Sequence, residues 1–246
     1  MNYSSVISPD LRIKAKSHTI IKGYIADIVY NRGGFERMDI NIENTISKEL
    51  EAFRKFKKNY IFNPKNIEEI NGKLYCDNMT LLDDEGKEIG ICDNWINVGY
   101  KIKGPFSKVL SNLFPYEFVF RGQKLNSIET FFQGIKFKDK NIQKYVFKYS
   151  GLDSNNIKVA SDYDWKTTGE IYWQGEPINR NGEEYYDIID ELYISAIQNP
   201  LYRQVLKNCD KYILHSIGEI KTENTVFARC EFEFQLNCLK DFLRSE

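Results

Sequence analysis

Imidazole is scarce in this chain of 246 residues, which has two histidines, His18 and His215. A metal site built mainly from histidine is thereby excluded. The five cysteines, Cys76, Cys92, Cys209, Cys230 and Cys238, are odd in number and scattered. None forms C-x-x-C, so reduced thiols are expected, with neither a disulfide framework nor a zinc site. Charge of one sign is also lacking: 34 Lys and Arg stand against 35 Asp and Glu, a net −1. No global basic field therefore advertises nucleic acid, although local basic patches can exist. No apolar run approaches a membrane span, and the N-terminus lacks the basic-then-apolar order of a signal peptide. A cytoplasmic protein with no membrane partner is expected. Internal repeats and low-complexity tracts are absent.

Aromatics, by contrast, are abundant, with 16 Tyr and 16 Phe. They suit a packed core and stacking surfaces equally. The length allows one large domain or two small ones. Partial alternation over His18 to Tyr30 predicts a strand, Asn31 to Gly34 a turn, and Met38 to Ile42 a partner strand. Asn44 or Thr45 caps a helix through Lys58, with Ile46, Leu50, Phe53 and Phe56 inward. Lys73 to Leu82 and Glu88 to Ile96 read as a hairpin over the acidic tip Asp83-Asp84-Glu85-Gly86, whose spacing does not fit an EF-hand. Gly104-Pro105 reads as a loop. Residues 1–92 thus form a small α+β extension, and 93–246 a helix-rich α+β domain.

Within that domain, Glu117 to Phe120 reads as a strand entering a tight turn at Arg121-Gly122, then a second extended piece. Asn126 or Ser127 starts a helix running to Phe137, with Ile128, Phe131, Phe132 and Ile135 on its apolar stripe. Glu129, Gln133 and Lys136 share a ridge about a quarter turn away, by the rotation per residue of a helix. With Asn126 as N-cap, Glu129 would complete a capping box; the alternative is a polar ridge beside a pocket. Downstream, Lys140 to Tyr149 reads as a short helix with Ile142, Tyr145, Val146 and Tyr149 inward, ended by Ser150-Gly151. Asp164 caps a helix over Trp165 to Trp173. Gly182 to Gln198 is the longest helix, with Tyr186, Ile189, Leu192, Tyr193, Ala196 and Ile197 as its stripe. Asn199-Pro200 opens the next helix, to Lys207. Tyr212 to Leu214 is a strand, and Ala228 to Leu243 a final helix burying Phe232, Leu236 and Leu239.

SNLFPYEFVFRG followed by SIETFFQGIKF resembles the opening signature of the NADAR family of YbiA-like N-glycosidases. Lys158, Asp164-Trp165, Tyr172-Trp173-Gln174-Gly175, Arg180, Gln198-Asn199-Pro200, Leu214-His215-Ser216-Ile217-Gly218, Thr225-Val226 and Glu231-Phe232 continue it in order. The resemblance spans Asn94 to Arg244. It implies a YbiA-like fold and hydrolysis of a phosphorylated ribosyl N-glycoside without metal or cofactor. The implied substrates are ADP-ribose linked to a base, including ADP-ribosylated guanine in single-stranded DNA, or a ribosylamino-pyrimidine phosphate of riboflavin synthesis. It places the catalytic carboxylate on Glu129. The family's Asp after the H-S-x-G stretch is absent here, where Glu219-Ile220-Lys221-Thr222-Glu223 stands, so Glu223, or else Glu219, would substitute. Gln133 would orient sugar or water, and Arg121 with Gly122, Lys136, Lys158 and Arg180 would hold phosphate. Trp165 and Trp173 would stack on the base. His215, Ser216 and Gly218 would complete the substrate site, Gly218 through backbone N–H groups. No Ser-His-Asp order makes Ser216 a nucleophile. Two rival readings are a non-catalytic module for ADP-ribose or NAD-derived ligands, and a structural or partner-binding protein.

Overall fold

The computed structural model describes residues 35–61, 67–70, 73–76, 95–102, 104–155, 165–215 and 217–246. The expected strand 18–30, its turn, the acidic tip 83–86, Lys158, Asp164 and Ser216 lie outside them. The protein is α+β. The chain divides into two compact units, Met1–Ser47 and Lys48–Glu246. The division falls inside α1 (Phe35–Lys58), a helix that begins earlier than its capping signals suggest. Met38 to Ile42 is therefore helical and not a strand. Extending an existing helix adds one hydrogen bond per residue fixed, so the weak alternation there does not compete. At 24 residues α1 exceeds the helix over 183–196.

The small strands pair in ways that local pattern only partly announces. β1 (Ile67–Ile70) and β2 (Lys73–Cys76) pair antiparallel, in register Ile67↔Cys76 and Ile70↔Lys73. Most of the hairpin expected between 73–82 and 88–96 lies outside the described residues. β3 (Trp95–Asn97) instead runs parallel to β8 (Tyr212–Leu214), in register Trp95↔Tyr212 and Asn97↔Leu214. Val98 donates its N–H to the Leu214 carbonyl at 2.7 Å. Because the strands are parallel, Val98 and His215 leave the pair side by side.

Between them, α2 (Pro105–Val109) begins at Pro105, whose fixed φ suits the first helical position; the expected loop is a helix start. β4 (Phe118–Phe120) and β5 (Gln123–Leu125) form the expected hairpin. Its turn residues Arg121 and Gly122 have φ of 48° and 72°. α3 (Ile128–Gly134) is capped by Ser127, not Asn126. Buried Ser127 accepts N–H bonds from Thr130 at 3.2 Å and from Gly151 at 2.9 Å. Asn126 instead donates to the Phe147 and Lys148 carbonyls. Ser127→Ala strands two buried donors and is expected to cost about 2 kcal/mol, read as a lower urea midpoint. An unchanged midpoint would mean that water replaces the hydroxyl.

α4 (Lys140–Val146) and α5 (Gly151–Asn155) follow, so Gly151 opens a helix as well as closing a connection. Tyr145 is exposed, while Gln143 is buried and bonded to the Phe137 and Tyr172 carbonyls. The helix expected over 165–173 is one turn, α6 (Trp165–Thr168), followed by the hairpin β6 (Glu170–Trp173) and β7 (Glu176–Asn179). Gln174 and Gly175, with φ of 50° and 88°, make a turn that matches strand twist. α7 (Glu183–Ala196) buries Tyr185, Ile188, Ile189, Leu192 and Tyr193, whereas Tyr186 is exposed. α8 (Pro200–Asn208) is capped by Asn199 with Pro200 first, and α9 (Arg229–Ser245) buries Phe232, Leu236 and Leu239.

Candidate functional site

A cavity of about 480 Å³ opens beside α3, lined by Ser111, Asn112 and Leu113, Glu129, Phe132, Gln133 and Lys136, His215 with Ile217, Gly218 and Glu219, Thr225 to Phe227, and Phe232. All belong to the unit Lys48–Glu246. Its polar wall comes from α3 and the residues just after it. Glu129 becomes the second helical residue, where it does not complete a capping box. Its backbone N–H is taken by the Asn112 carbonyl at 2.8 Å, and its side chain is left for other partners. Asn112 is itself pinned, its Oδ1 accepting the Tyr193 hydroxyl at 2.9 Å.

Gln133 joins two groups too far apart to pair directly along the helix. It donates Nε2–H to Glu129 Oε1 at 2.6 Å, and its Oε1 accepts from Lys136 Nζ at 2.8 Å. Burial pushes the Glu129 carboxyl above the ordinary carboxylate value, against the opposing pull of the Gln133 hydrogen bond and the Lys136 charge. Burial likewise pushes Lys136 down, partly offset by Glu129. Removing the charge in Lys136→Met is expected to raise the Glu129 titration further, measurable by carboxyl carbon NMR. A titration that falls or stays fixed would show that Lys136 does not act on it.

The rest of the lining is aromatic and weakly polar. Phe132 stacks on Phe227 with centroids 4.8 Å apart and planes at 14°. His215 hydrogen-bonds the Val98 carbonyl through Nδ1 at 2.8 Å, and burial lowers its pKa. A cavity walled by an aromatic face, a carboxyl, an amide and an ammonium can hold a small polar ligand with a flat part and an anionic part.

Glu129, Gln133, Lys136, His215 and Gly218 thus meet in one place. Glu219 also borders the cavity, whereas the other candidate residues that are described do not line it. Arg121 forks onto Glu191 with contacts of 2.9, 3.1 and 2.7 Å, and Gly122 is the exposed turn beside it. Arg180 is buried, paired with Glu231 and stacked 4.2 Å over the Tyr185 ring. Trp173 is buried between Phe120, Phe131 and Phe147. Trp165 sits in α6 with Lys166 over its ring. Glu223 is exposed; Glu219 lies at the rim, where its carboxylate accepts the Lys221 N–H. The sequence reading gave no site role to Asn112, Thr225, Val226 and Phe227, which come from loops without periodicity. Phe132 and Phe232 read simply as core.

Among proteins of known sequence, the family model described as Bacteriophage protein GP30.3 matches residues 105–241. A protein of Enterobacteria phage T4, described as an uncharacterized 17.1 kDa protein in the Gp30-rIII intergenic region, is 31% identical over 142 residues, covering 56% of this chain and 91% of that protein. No solved structure matches the chain. The resemblance to the NADAR family is overturned, since the match falls on another family across the stretch that carries its motifs. Short motifs such as S-x-E and W-Q-G recur wherever a capped helix or a tight hairpin turn is needed, which limits what their order can identify. With more than half of its length matched, the chain belongs to the bacteriophage GP30.3 protein family.

Proposed function

We propose that the protein is a cofactor-independent N-glycosidase that hydrolyses a phosphorylated ribosyl N-glycoside. Its substrate would be ADP-ribose joined to a base, such as ADP-ribosylated guanine in single-stranded DNA, or a ribosylamino-pyrimidine phosphate of riboflavin synthesis. The observation that supports this reading is the linked set Glu129, Gln133 and Lys136 on the wall of a cavity of about 480 Å³. Breaking an N-glycosidic bond requires a proton on the leaving nitrogen and stabilisation of an oxocarbenium-like sugar. A carboxyl raised by burial keeps its proton to higher pH and can deliver it to that nitrogen. The carboxylate left behind then faces the cationic sugar. Lys136 supplies the positive charge for phosphate, and Phe132 with Phe227 an apolar wall for the base.

The exposure of Glu223 favours a second reading, a non-catalytic module that binds the same ligands. Incubation with ADP-ribosylated single-stranded DNA and with the riboflavin intermediate, followed by mass spectrometry, decides between the two. Released base is expected. No release, together with a higher melting temperature in ADP-ribose, would favour the binding module. No release and no thermal shift would remove both.

A further inference from the structure

We infer that His215 is the base that activates the attacking water, acting through Nε2 in the same cavity as Glu129. The assignment rests on the N-glycosidase reading above. It fills the place that a second carboxylate would take, since Glu223 is exposed and the carboxylate of Glu219, exposed at the cavity's edge, accepts the Lys221 N–H.

The geometry carries it. The parallel pairing of Trp95–Asn97 with Tyr212–Leu214 brings the Val98 carbonyl beside the His215 ring. Nδ1 lies 2.8 Å from that carbonyl, which can only accept, so Nδ1 carries the hydrogen and Nε2 keeps its lone pair. Among the described residues no hydrogen bond engages Nε2. The other sides of the residue are held. Its backbone N–H donates to Glu233 Oε1 at 2.8 Å, a carboxylate that also takes Arg229 Nε at 2.9 Å. Phe232 packs on the ring at 4.8 Å between centroids. Gly218 lies so close to the remaining carbon edge that a Cβ there would sit 2.5 Å from Cδ2. The ring is therefore clamped with its acceptor nitrogen left for the cavity that it lines.

The charged groups around it are Glu233 and Arg229 on the final helix, and Glu129, Lys136 and Glu219 lining the same cavity. Burial outweighs the pull of the Val98 bond and the Glu233 charge, so the imidazole stays neutral below its ordinary value. Glu129 is shifted the opposite way. Two groups driven apart from their usual order in this manner suit an acid and a base.

The step balances without a further reactant. Water oxygen bonds to the anomeric carbon while Nε2 takes one of its protons. The bond from that carbon to the base nitrogen breaks, its electron pair staying on nitrogen, and the Glu129 carboxyl protonates it. Imidazolium and carboxylate are left, and solvent returns a proton from one to the other.

His215→Asn tests this, because its amide can still reach the Val98 carbonyl but has no counterpart of Nε2. At least about a hundredfold loss of kcat is expected, a typical size for a general base, with KM changed only a few-fold and the acid limb of the pH profile lost. With two histidines in the chain, ring nitrogen NMR assigns the group directly. The signal missing in His215→Asn should show a protonated Nδ1 and a bare Nε2 at neutral pH, and ADP-ribose at saturation should move Nε2. An Nε2-protonated tautomer, an Nε2 signal indifferent to ADP-ribose, or turnover in His215→Asn with the wild-type rate and acid limb would overturn the inference alone. A wild-type protein that releases no base would instead sink the N-glycosidase reading and the base assignment with it.

Discussion

Glu129→Gln should fold normally and lose at least about a hundredfold in turnover, the usual scale for a group that moves a proton in the transition state. Gln preserves the shape and can still meet the Gln133 side chain, but it neither donates an acidic proton nor becomes an anion beside the sugar. The same substitution should change the pH dependence of stability. Burial raises the Glu129 carboxyl in the folded state, so folding favours its protonated form. That contribution is complete below the unfolded value and is lost as pH rises through the raised one. Wild type should therefore weaken relative to Glu129→Gln on going from acid towards neutral pH. Urea titrations of both proteins across that range read the difference. Equal activity would remove Glu129 from the reaction, and parallel stability curves would show that its carboxyl is not displaced.

The second large effect is expected at Gly151. Its φ is +50°, and a Cβ there would stand 2.2 Å from the Leu113 carbonyl oxygen. Ala at this position meets left-handed strain and a backbone atom that cannot swing aside, together about 3–5 kcal/mol. For a protein of this size that corresponds to a melting temperature lower by about 10 °C or more. The disturbance should also reach the cavity, because Leu113 lines it and the adjacent Asn112 carbonyl holds the Glu129 N–H. Gly151→Ala should thus weaken ADP-ribose binding even at temperatures where it remains folded. A melting temperature within about 1 °C of wild type would mean that the 111–116 loop yields freely, by the same scaling.

Helix spacing alone brought Glu129, Gln133 and Lys136 to one ridge, and that grouping is what lines the cavity. The period of 3.6 is a local property, so a sequence displays it. Asn199 before Pro200, the turn at Arg121-Gly122 and the apolar stripe of the C-terminal helix are local in the same sense. Where local signals competed, the outcome turned on contacts far along the chain. Ser127 wins the cap over Asn126 because its hydroxyl also receives the Gly151 N–H, while Asn126 is drawn to the Phe147 and Lys148 carbonyls. Trp165 to Trp173 breaks into one helical turn and a hairpin because Ile171, Tyr172 and Trp173 are all buried, Trp173 against Phe120 and Phe131.

The cations show the same division. Arg121 and Arg180 are as suited to phosphate as Lys136 by chemistry, and the sequence does not distinguish them. In the folded chain Glu191 and Glu231, 70 and 51 residues away, take the two guanidinium groups, and Lys136 remains at the cavity. The α+β class and the polar ridge were legible before folding, since both follow from periodicity within a few turns of chain. Tertiary structure decided the strand partners of Trp95–Asn97 and the orientation of His215. It also decided which charges face the cavity, because ion pairing and parallel strand pairing depend on distances between segments that no local pattern encodes.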